Sequence, residues 1–245
     1  MSPRIILATT VRVGQQLRRD PRTLALIIVV PCVLIWLLGE LFGVQSKTFE
    51  QIAVPMLGLF PFIIMFLITS ITMLRERTSG TLERLMSMPL HKLDLLLGYG
   101  LAFAIVAAIQ GVVVCGVAYG LIGLDTAAPV GVVIVLAVAN AICGMALGLF
   151  VSAFAQTEFQ AVQFMPAFVM PQLLLCGLFV ARDDMAEWLQ IVSDVLPLTY
   201  AYDALAQVAE HGEMTSDAWV DLAVVAAFSL AALAGGAATL RRRTL

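Results

Sequence analysis

Residues 75–89 read Arg75-Glu76-Arg77-Thr78-Ser79-Gly80-Thr81-Leu82-Glu83-Arg84-Leu85-Met86-Ser87-Met88-Pro89, a dense polar island between two long apolar runs. A stretch this charged lies outside a bilayer, and the runs on either side are long enough to cross one. At about 100° per residue Leu82, Leu85 and Met86 fall on one face while Glu83, Arg84 and Ser87 fall on the other, the pattern of a short amphipathic helix. Gly80 can cap its start, with Glu83 in the third helical position, and Pro89 stops it. So short a helix is marginal alone, and the pattern predicts that it docks on another surface.

Composition sets the class. Of 245 residues, 61% are hydrophobic and 13% charged, which is more apolar surface than a water-soluble core of this length can hide. The chain reads as an all-α integral membrane protein. Its formal net charge of −3 carries little by itself, because the sign of the charge changes sharply along the chain. No basic patch supports nucleic-acid binding.

Outward from the island, six apolar runs have the length of a membrane-crossing helix: Thr23 to Gly43, Ile52 to Leu74, Leu93 to Ile122, Pro129 to Phe154, Phe159 to Val180 and Ala218 to Leu240. Val44 to Gln51 reads as a short polar loop. With the N-terminus in the cytoplasm, an even number of spans returns the Arg241-Arg242-Arg243 tail to the same side, together with Arg75, Arg77, Arg84 and Lys92. All but Lys47 and Arg182 of the 14 lysines and arginines then fall inside. The segment between the fifth and sixth runs is acidic instead, carrying Asp183, Asp184, Glu187, Asp194, Asp203, Glu210, Glu213 and Asp217.

Residues 1–22 form a basic arm. A helical projection sets Arg4, Arg12, Arg18 and Arg19 on one side and Ile6, Val13 and Leu17 opposite. The arm can therefore lie in the membrane interface with its arginines toward lipid headgroups or a partner. A solvated leader that merely sets orientation is the plainer and compatible reading. The apolar run that follows is too long for a cleaved signal peptide and lacks a small-residue cleavage site.

Residues 181–217 look like more than a loop. Between Glu187 and Leu196, the apolar Trp188, Leu189, Ile191, Val192, Val195 and Leu196 share one helical face, and Glu187, Gln190, Ser193 and Asp194 share the other. Pro197 breaks this helix, and Thr199 to His211 can form a second one ending at Gly212. The expectation is a helical cap at, or dipping into, the outer leaflet. Trp188 and Tyr200 as interface anchors and nothing more is the alternative.

Within the spans the chemistry is sparse. The polar residues are Gln110, Asn140, Gln163 and Gln172 with scattered Ser and Thr, and no charge sits near a span centre, where it would cost about 2.5–3.5 kcal/mol. A proton or sodium relay is therefore poorly supported. Glu40 and Glu158 read as terminal or loop residues. The fifth run is irregular: Pro166 and Pro171 each remove a backbone hydrogen bond, so a kinked or broken helix is expected. Such a helix can line a pathway, with Met165, Phe168, Met170 and Gln172 as a soft wall for an apolar compound. Ordinary packing also accounts for Met and Phe at this spacing.

Cys32, Cys115, Cys143 and Cys176 fall in separate spans, so neither a disulfide nor a metal site is expected. His91 and His211 lie on opposite sides. Gly116/Gly120 and Gly144/Gly148 have the spacing of close helix packing. No nucleophile and base pair up, and neither Lys47 nor Lys92 sits in a G-x-x-x-x-G-K-[ST] phosphate loop. Uphill movement of any solute would draw its energy from elsewhere.

The island, followed by Gly98-Tyr99-Gly100 in the third span, resembles the cytoplasmic segment of ABC type-2 exporter permeases, where an acidic residue, Gly-Thr-Leu-Glu, a hydrophobic pair and a proline recur. Far along the chain, Leu173-Leu174-Leu175-Cys176-Gly177-Leu178-Phe179, then Met185, Trp188-Leu189 and Leu196-Pro197-Leu198-Thr199-Tyr200, is similar to that family's Leu-Ser-Gly turn, external helix and Pro-Leu-Thr-Tyr sequence. Cys176 stands where serine is commoner. The resemblance runs through the whole chain in order.

The resemblance implies one membrane permease domain over residues 1–245, with a surface arm at 1–22, a coupling helix at 75–89 and an external helical segment at 181–217. It implies that Glu76, Gly80, Thr81, Leu82, Glu83, Leu85 and Pro89 couple the chain to a separate ABC ATP-binding subunit, present in two copies. ATP and Mg would be bound there, with no cofactor on this chain. It also implies a second, identical permease chain, a bacterial inner-membrane location, and outward movement of a drug or lipid. For the residues themselves, capping by Gly80, termination by Pro89 and self-capping by Glu83 are equally good accounts. Trp188, Pro197 and Tyr200 belong to the external cap. A polysaccharide or glycolipid exporter, a sodium-extruding branch, a non-transporting scaffold and a proton-coupled carrier are the alternatives, the last requiring an intramembrane carboxylate not seen here.

Overall fold

The computed structural model describes residues 2–86 and 92–239, and of Leu82, Glu83, Met86 and Lys92 it describes the backbone alone. The described residues are helical throughout: α1 (Pro3–Arg18), α2 (Pro21–Phe42), α3 (Lys47–Thr78), α4 (Thr81–Met86), α5 (Lys92–Val117) continued by a π turn (Ala118–Ile122), α6 (Val130–Val151), α7 (Glu158–Leu175), α8 (Glu187–Asp194), α9 (Pro197–His211) and α10 (Ser216–Thr239). Among the described residues five stretches are long and apolar enough to cross a membrane: α2, α3, α5 with its π turn, α6 and α10.

α7 covers the fifth apolar run but stands apart from those five. It has 18 residues, and it carries Glu158, Gln160, Gln163 and Gln172 besides its two prolines. The helix runs unbroken through Pro166 and Pro171. It stops at Leu175 rather than Val180 because Gly177 takes a φ of 100°, a conformation that a helix cannot continue.

α3 is the hub of the bundle. Of its apolar window 72% is buried, against 22% for α2 and 28% for α10. α6 presses on it through Gly144 and Gly148, where an added Cβ would fall on the carbonyls of Phe62 and Phe66. The other glycine pair, Gly116/Gly120, faces open space and packs nothing. At 32 residues α3 is about 48 Å long, well beyond the ~30 Å hydrocarbon core. Both of its ends therefore emerge, which lets Arg75 and Glu76 be helical and yet paired. The loop expected over 44–51 shrinks accordingly, because the Ser46 hydroxyl accepts from the Phe49 amide at 3.0 Å and starts the helix at Lys47.

Two polar residues of the spans turn out to be structural. Pro31 has no N–H, so the Ile27 carbonyl one turn earlier lacks its helical donor. The Gln110 side chain supplies one, 2.8 Å away. The Asn140 amide likewise donates to the Ala201 carbonyl at 2.9 Å and ties α6 to α9. Two large apolar cores result among the described residues, an upper one around Phe49, Leu57, Phe62, Leu198 and Leu205 and a lower one around Leu17, Met65, Met73, Tyr99 and Phe103, with a small third one of Leu74, Ala155 and Ala161.

Candidate functional site

α1 lies along α5 with Thr9, Thr10, Val13 and Leu17 buried. The contact depends on Gly98, where any side chain would meet Thr9 and the Ile6 carbonyl. The Thr10 hydroxyl donates to the Gly98 carbonyl at 3.1 Å, and the Ser2 amide donates to the buried Asp94 at 3.0 Å. This roll of the arm decides the fate of its arginines. Arg4, Arg18 and Arg19 stay exposed, as a headgroup-facing side requires. Arg12, expected on the same side, faces the bundle instead.

There Arg12 meets Glu76 of α3 and Tyr99 of α5. Glu76 is only 6% exposed and Tyr99 is fully buried. The Glu76 carboxylate accepts from the Tyr99 hydroxyl at 2.8 Å and from the Gln16 amide at 3.0 Å, and pairs with Arg12 at 3.5 Å. Arg12 also donates to the Tyr99 oxygen and lies 5.4 Å from the ring centroid. A carboxylate taken out of water needs such partners, since one left bare would cost several kcal/mol. Arm, second span and third span are thus knotted together directly above the polar island.

The island itself is divided. Its first residues complete α3, Ser79 caps that helix, and Gly80 turns the chain with a φ of 71°. Gly80 serves both helices: its amide donates to the Arg77 carbonyl at 3.4 Å, and its carbonyl accepts from the Arg84 amide at 3.0 Å, opening α4. The Thr81 and Ser79 hydroxyls share a hydrogen bond of 3.0 Å. Leu85 is half-buried against the lower core of its own chain. Leu82 and Glu83 lie in α4 with their side chains outside the description, and Pro89 and His91 are outside the described residues, as is the Arg241–Arg243 tail. Of the coupling set, then, Glu76 and Leu85 face the bundle, while Gly80 and Thr81 form the turn.

Arg75, one residue before Glu76, bonds to a different helix. It grips Glu158 with two parallel hydrogen bonds of 2.8 and 2.9 Å, joining α3 to the first residue of α7 in the open. Above this pair, α7 is sparsely covered: Ala161, Val169 and Gln172 are its buried residues. Phe168 is 46% exposed and Met170 also exposed, while Met165 packs half-buried on the upper core. Gln172 turns inward. Its amide donates to the Phe168 carbonyl at 2.9 Å, and its Oε1 is buried without a partner.

Residues 181–217 form the two helices expected, but α9 is buried more deeply than a surface cap would be. Pro197, at its first turn, Leu198, Ala201, Ala204, Leu205 and Val208 are all buried against the bundle. Ser193 donates to the Leu175 carbonyl at 2.9 Å and shares a 3.0 Å bond with Thr199, which stitches the end of α7 to α8 and α9. The Tyr200 hydroxyl donates to the Asp194 carbonyl at 2.7 Å. Arg182 pairs with Asp194 and, at 2.9 Å, with Asp203. Trp188 stands out at 66% exposed, with Ile191 and Val195 beside it. Among the described residues no three His, Cys, Asp or Glu side chains gather as metal ligands, and the four cysteines are free thiols.

Comparison with known proteins accords with this architecture. The family model described as ABC-2 type transporter matches residues 5–209. Over 183 residues, 74% of this chain, the sequence is 25% identical to ABC transporter G family member 20 of Dictyostelium discoideum. It is 27% identical over 142 residues, 58% of this chain, to the probable multidrug ABC transporter permease YbhR of Escherichia coli. It is 23% identical over 170 residues, 69% of this chain, to the linearmycin resistance permease protein LnrN of Bacillus subtilis. The matched part spans 25%, 39% and 44% of those relatives' own lengths. Proteins of this kind work with an ABC ATP-binding subunit. With its apolar spanning helices and a family match from the arm to α9, the chain is a multi-pass membrane protein that belongs to the ABC-2 type transporter permeases.

Proposed function

We propose that the chain is the membrane subunit of an ATP-driven exporter that moves a hydrophobic or amphipathic compound, a drug or a lipid, out of the cytoplasm or inner leaflet. Two ATP-binding subunits hydrolyse ATP with Mg, and a second, identical permease chain completes the pathway in a bacterial inner membrane. α7 serves as a further membrane-crossing helix, making six, since its 18 residues rise about 27 Å against a ~30 Å hydrocarbon core. Both termini are then cytoplasmic and residues 181–217 external.

The observation that carries this reading is the knot of Arg12, Glu76 and Tyr99. A push delivered to residues 75–89 by closing ATPase subunits arrives at the lower end of α3. Glu76 is bonded to α5 through Tyr99 and to the arm through Arg12 and Gln16, so α1, α3 and α5 answer as one body rather than bending separately. Gly80, Thr81, Leu82, Glu83 and Pro89 form the piece presented to the ATPase, and Glu76 and Leu85 fasten that piece to the bundle. Movement of α3 against α7 changes the space beside Phe168 and Met170, with Met165 and Gln172 supporting that wall from behind. The names of the Escherichia coli and Bacillus subtilis relatives, which speak of multidrug transport and linearmycin resistance, favour a drug over a polysaccharide or glycolipid cargo.

The test is ATPase activity of the chain co-expressed with its ATP-binding partner in lipid, with a panel of drugs and lipids added. Glu83→Ala and Thr81→Ala should abolish stimulation by the cargo while leaving the membrane subunit folded. Failure of any ATPase to co-purify, or stimulation indifferent to both substitutions, would move the scaffold reading ahead.

A further inference from the structure

The arm, the start of α2 and the lower half of α3 enclose a cavity of about 410 Å³, within the size range of small-molecule sites. Its wall changes character along its depth. Descending α3 contributes Leu67, Ile68 and Ile71, then Thr72, Arg75 and Glu76; ascending α2 contributes Asp20 and Thr23, then Leu26. Polar side chains therefore gather at the island end and apolar ones at the bilayer end. Leu26 is more than half exposed, so the slot opens sideways along the face of α2.

Three of the lining side chains are charged, and one of them is already fully committed. Glu76 is satisfied by Arg12, Gln16 and Tyr99. Asp20 and Arg75 remain, of opposite sign, and no ion pair closes between them among the described residues. Arg75 commits Nε and Nη2 to Glu158, which leaves Nη1. Asp20 accepts from the Thr23 amide at 3.2 Å and hydroxyl at 2.6 Å, as the cap of α2. These hydrogen bonds hold its carboxyl below the usual range, and Arg75 acts in the same direction from across the slot.

A slot with an anion and a cation facing each other at one end and aliphatic walls at the other matches an amphiphile whose head carries both charges. The geometry points to a binding site for one zwitterionic phospholipid of the inner leaflet, its phosphate on Arg75 and Thr72, its ammonium on Asp20, and an acyl chain against Leu26, Leu67, Ile68 and Ile71. An anionic headgroup without the ammonium would set a second negative charge beside Asp20. The site requires only the arm and two spans at a membrane surface, so it stands apart from the export reading and from the identity of any cargo.

Native mass spectrometry of the full chain with its ATPase partner, released from vesicles of equal phosphatidylethanolamine and phosphatidylglycerol, reads the site without reference to activity. The wild type should retain phosphatidylethanolamine in preference. Asp20→Asn keeps the cap of α2, since Asn caps as well as Asp, and should cut that preference about tenfold through loss of one charge-assisted hydrogen bond. Leu26→Trp, at the exposed rim, should lower retention of both lipids. Equal retention of the two lipids by the wild type, a preference untouched by Asp20→Asn, or full retention in Leu26→Trp would each overturn the assignment.

Discussion

The molecule has two polar knots, one at each end of the bundle, and they are built on opposite plans. At the island end, Arg12, Gln16, Glu76 and Tyr99 come from three helices, with partners 23 to 87 residues apart. At the other end, Arg182, Asp194 and Asp203, with Ser193 and Thr199, all fall within one short segment, with partners 6 to 21 residues apart. A knot of distant parts transmits displacement between helices. One of neighbouring parts fixes the shape of a local cap. The first is also drier, with the Glu76 side chain 7% exposed against 24% and 52% for Asp203 and Asp194. Its loss should therefore cost more and be felt farther away.

Arg12→Ala tests this most severely. It leaves the Glu76 carboxylate buried with Tyr99 and Gln16 as its remaining partners. The expected cost is about 3 kcal/mol, the low end for breaking a buried pair because two neutral donors persist. Thermal unfolding in detergent should fall accordingly, and cargo stimulation of the ATPase should disappear even where the fold survives. A variant with wild-type melting and coupling would show that the knot is ornamental.

Arg182→Ala is the matching experiment at the other end, with an expected cost near 2 kcal/mol at neutral pH for a half-buried carboxylate stripped of its partner. Its pH dependence is specific. Burial raises the Asp203 carboxyl above its ordinary range, and Arg182 opposes the shift. Without Arg182 the folded-state value rises further, and a raised folded-state value contributes stability at low pH that is lost as pH climbs through it. The deficit against wild type should therefore be small below the ordinary carboxylate range and should open as the pH rises past it. A deficit constant from acid to neutral pH would contradict the burial account of Asp203.

The contrast between the knots also explains what could be read from sequence. α8 and α9 were legible because their signals are local: apolar spacing from Trp188 to Leu196, Pro197 as a breaker, and Gly212 with a φ of 72° as the stop after α9. The depth of α9 was not, because Leu205 packs into the space left by Gly58 and the Ala201 carbonyl is bonded by Asn140, partners 61 or more residues upstream. At the island end the motif was plain, and it named Glu76 as a coupling residue without pointing to its partners inside the bundle. Only the roll of α1 on Gly98 shows that Arg12 reaches it, and no spacing rule connects residues 12, 76 and 99. The same holds for Gln110, whose task is set by Pro31 on another helix.

Ser193→Ala should have a smaller, confined effect. The substitution removes the donor to the Leu175 carbonyl and a partner of Thr199, worth about 1 kcal/mol. Hydrogen exchange should quicken at the end of α7 and in α8 and leave α1, α3 and α5 unchanged. Faster exchange around Glu76 would mean that the two ends are coupled after all, and that the division between a transmitting knot and a local one is wrong.

The smallest stability effect belongs to the Arg75–Glu158 pair, and it bears on the comparison from outside both knots. The two side chains are 56% and 53% exposed, and such pairs contribute about 0.2–1 kcal/mol, less in high salt. Glu158→Gln should barely shift the melting temperature. Yet this pair is the fork that closes α3 onto the start of α7, the helix bearing Phe168 and Met170. If α1, α3 and α5 move as one body, α7 is what they move against, and Arg75–Glu158 spans the sliding boundary. Glu158→Gln should then raise basal ATPase or cargo leakage at low ionic strength, and high salt should produce the same change in the wild type. A variant unchanged in both stability and turnover would place the moving boundary elsewhere, above α7 rather than beside it.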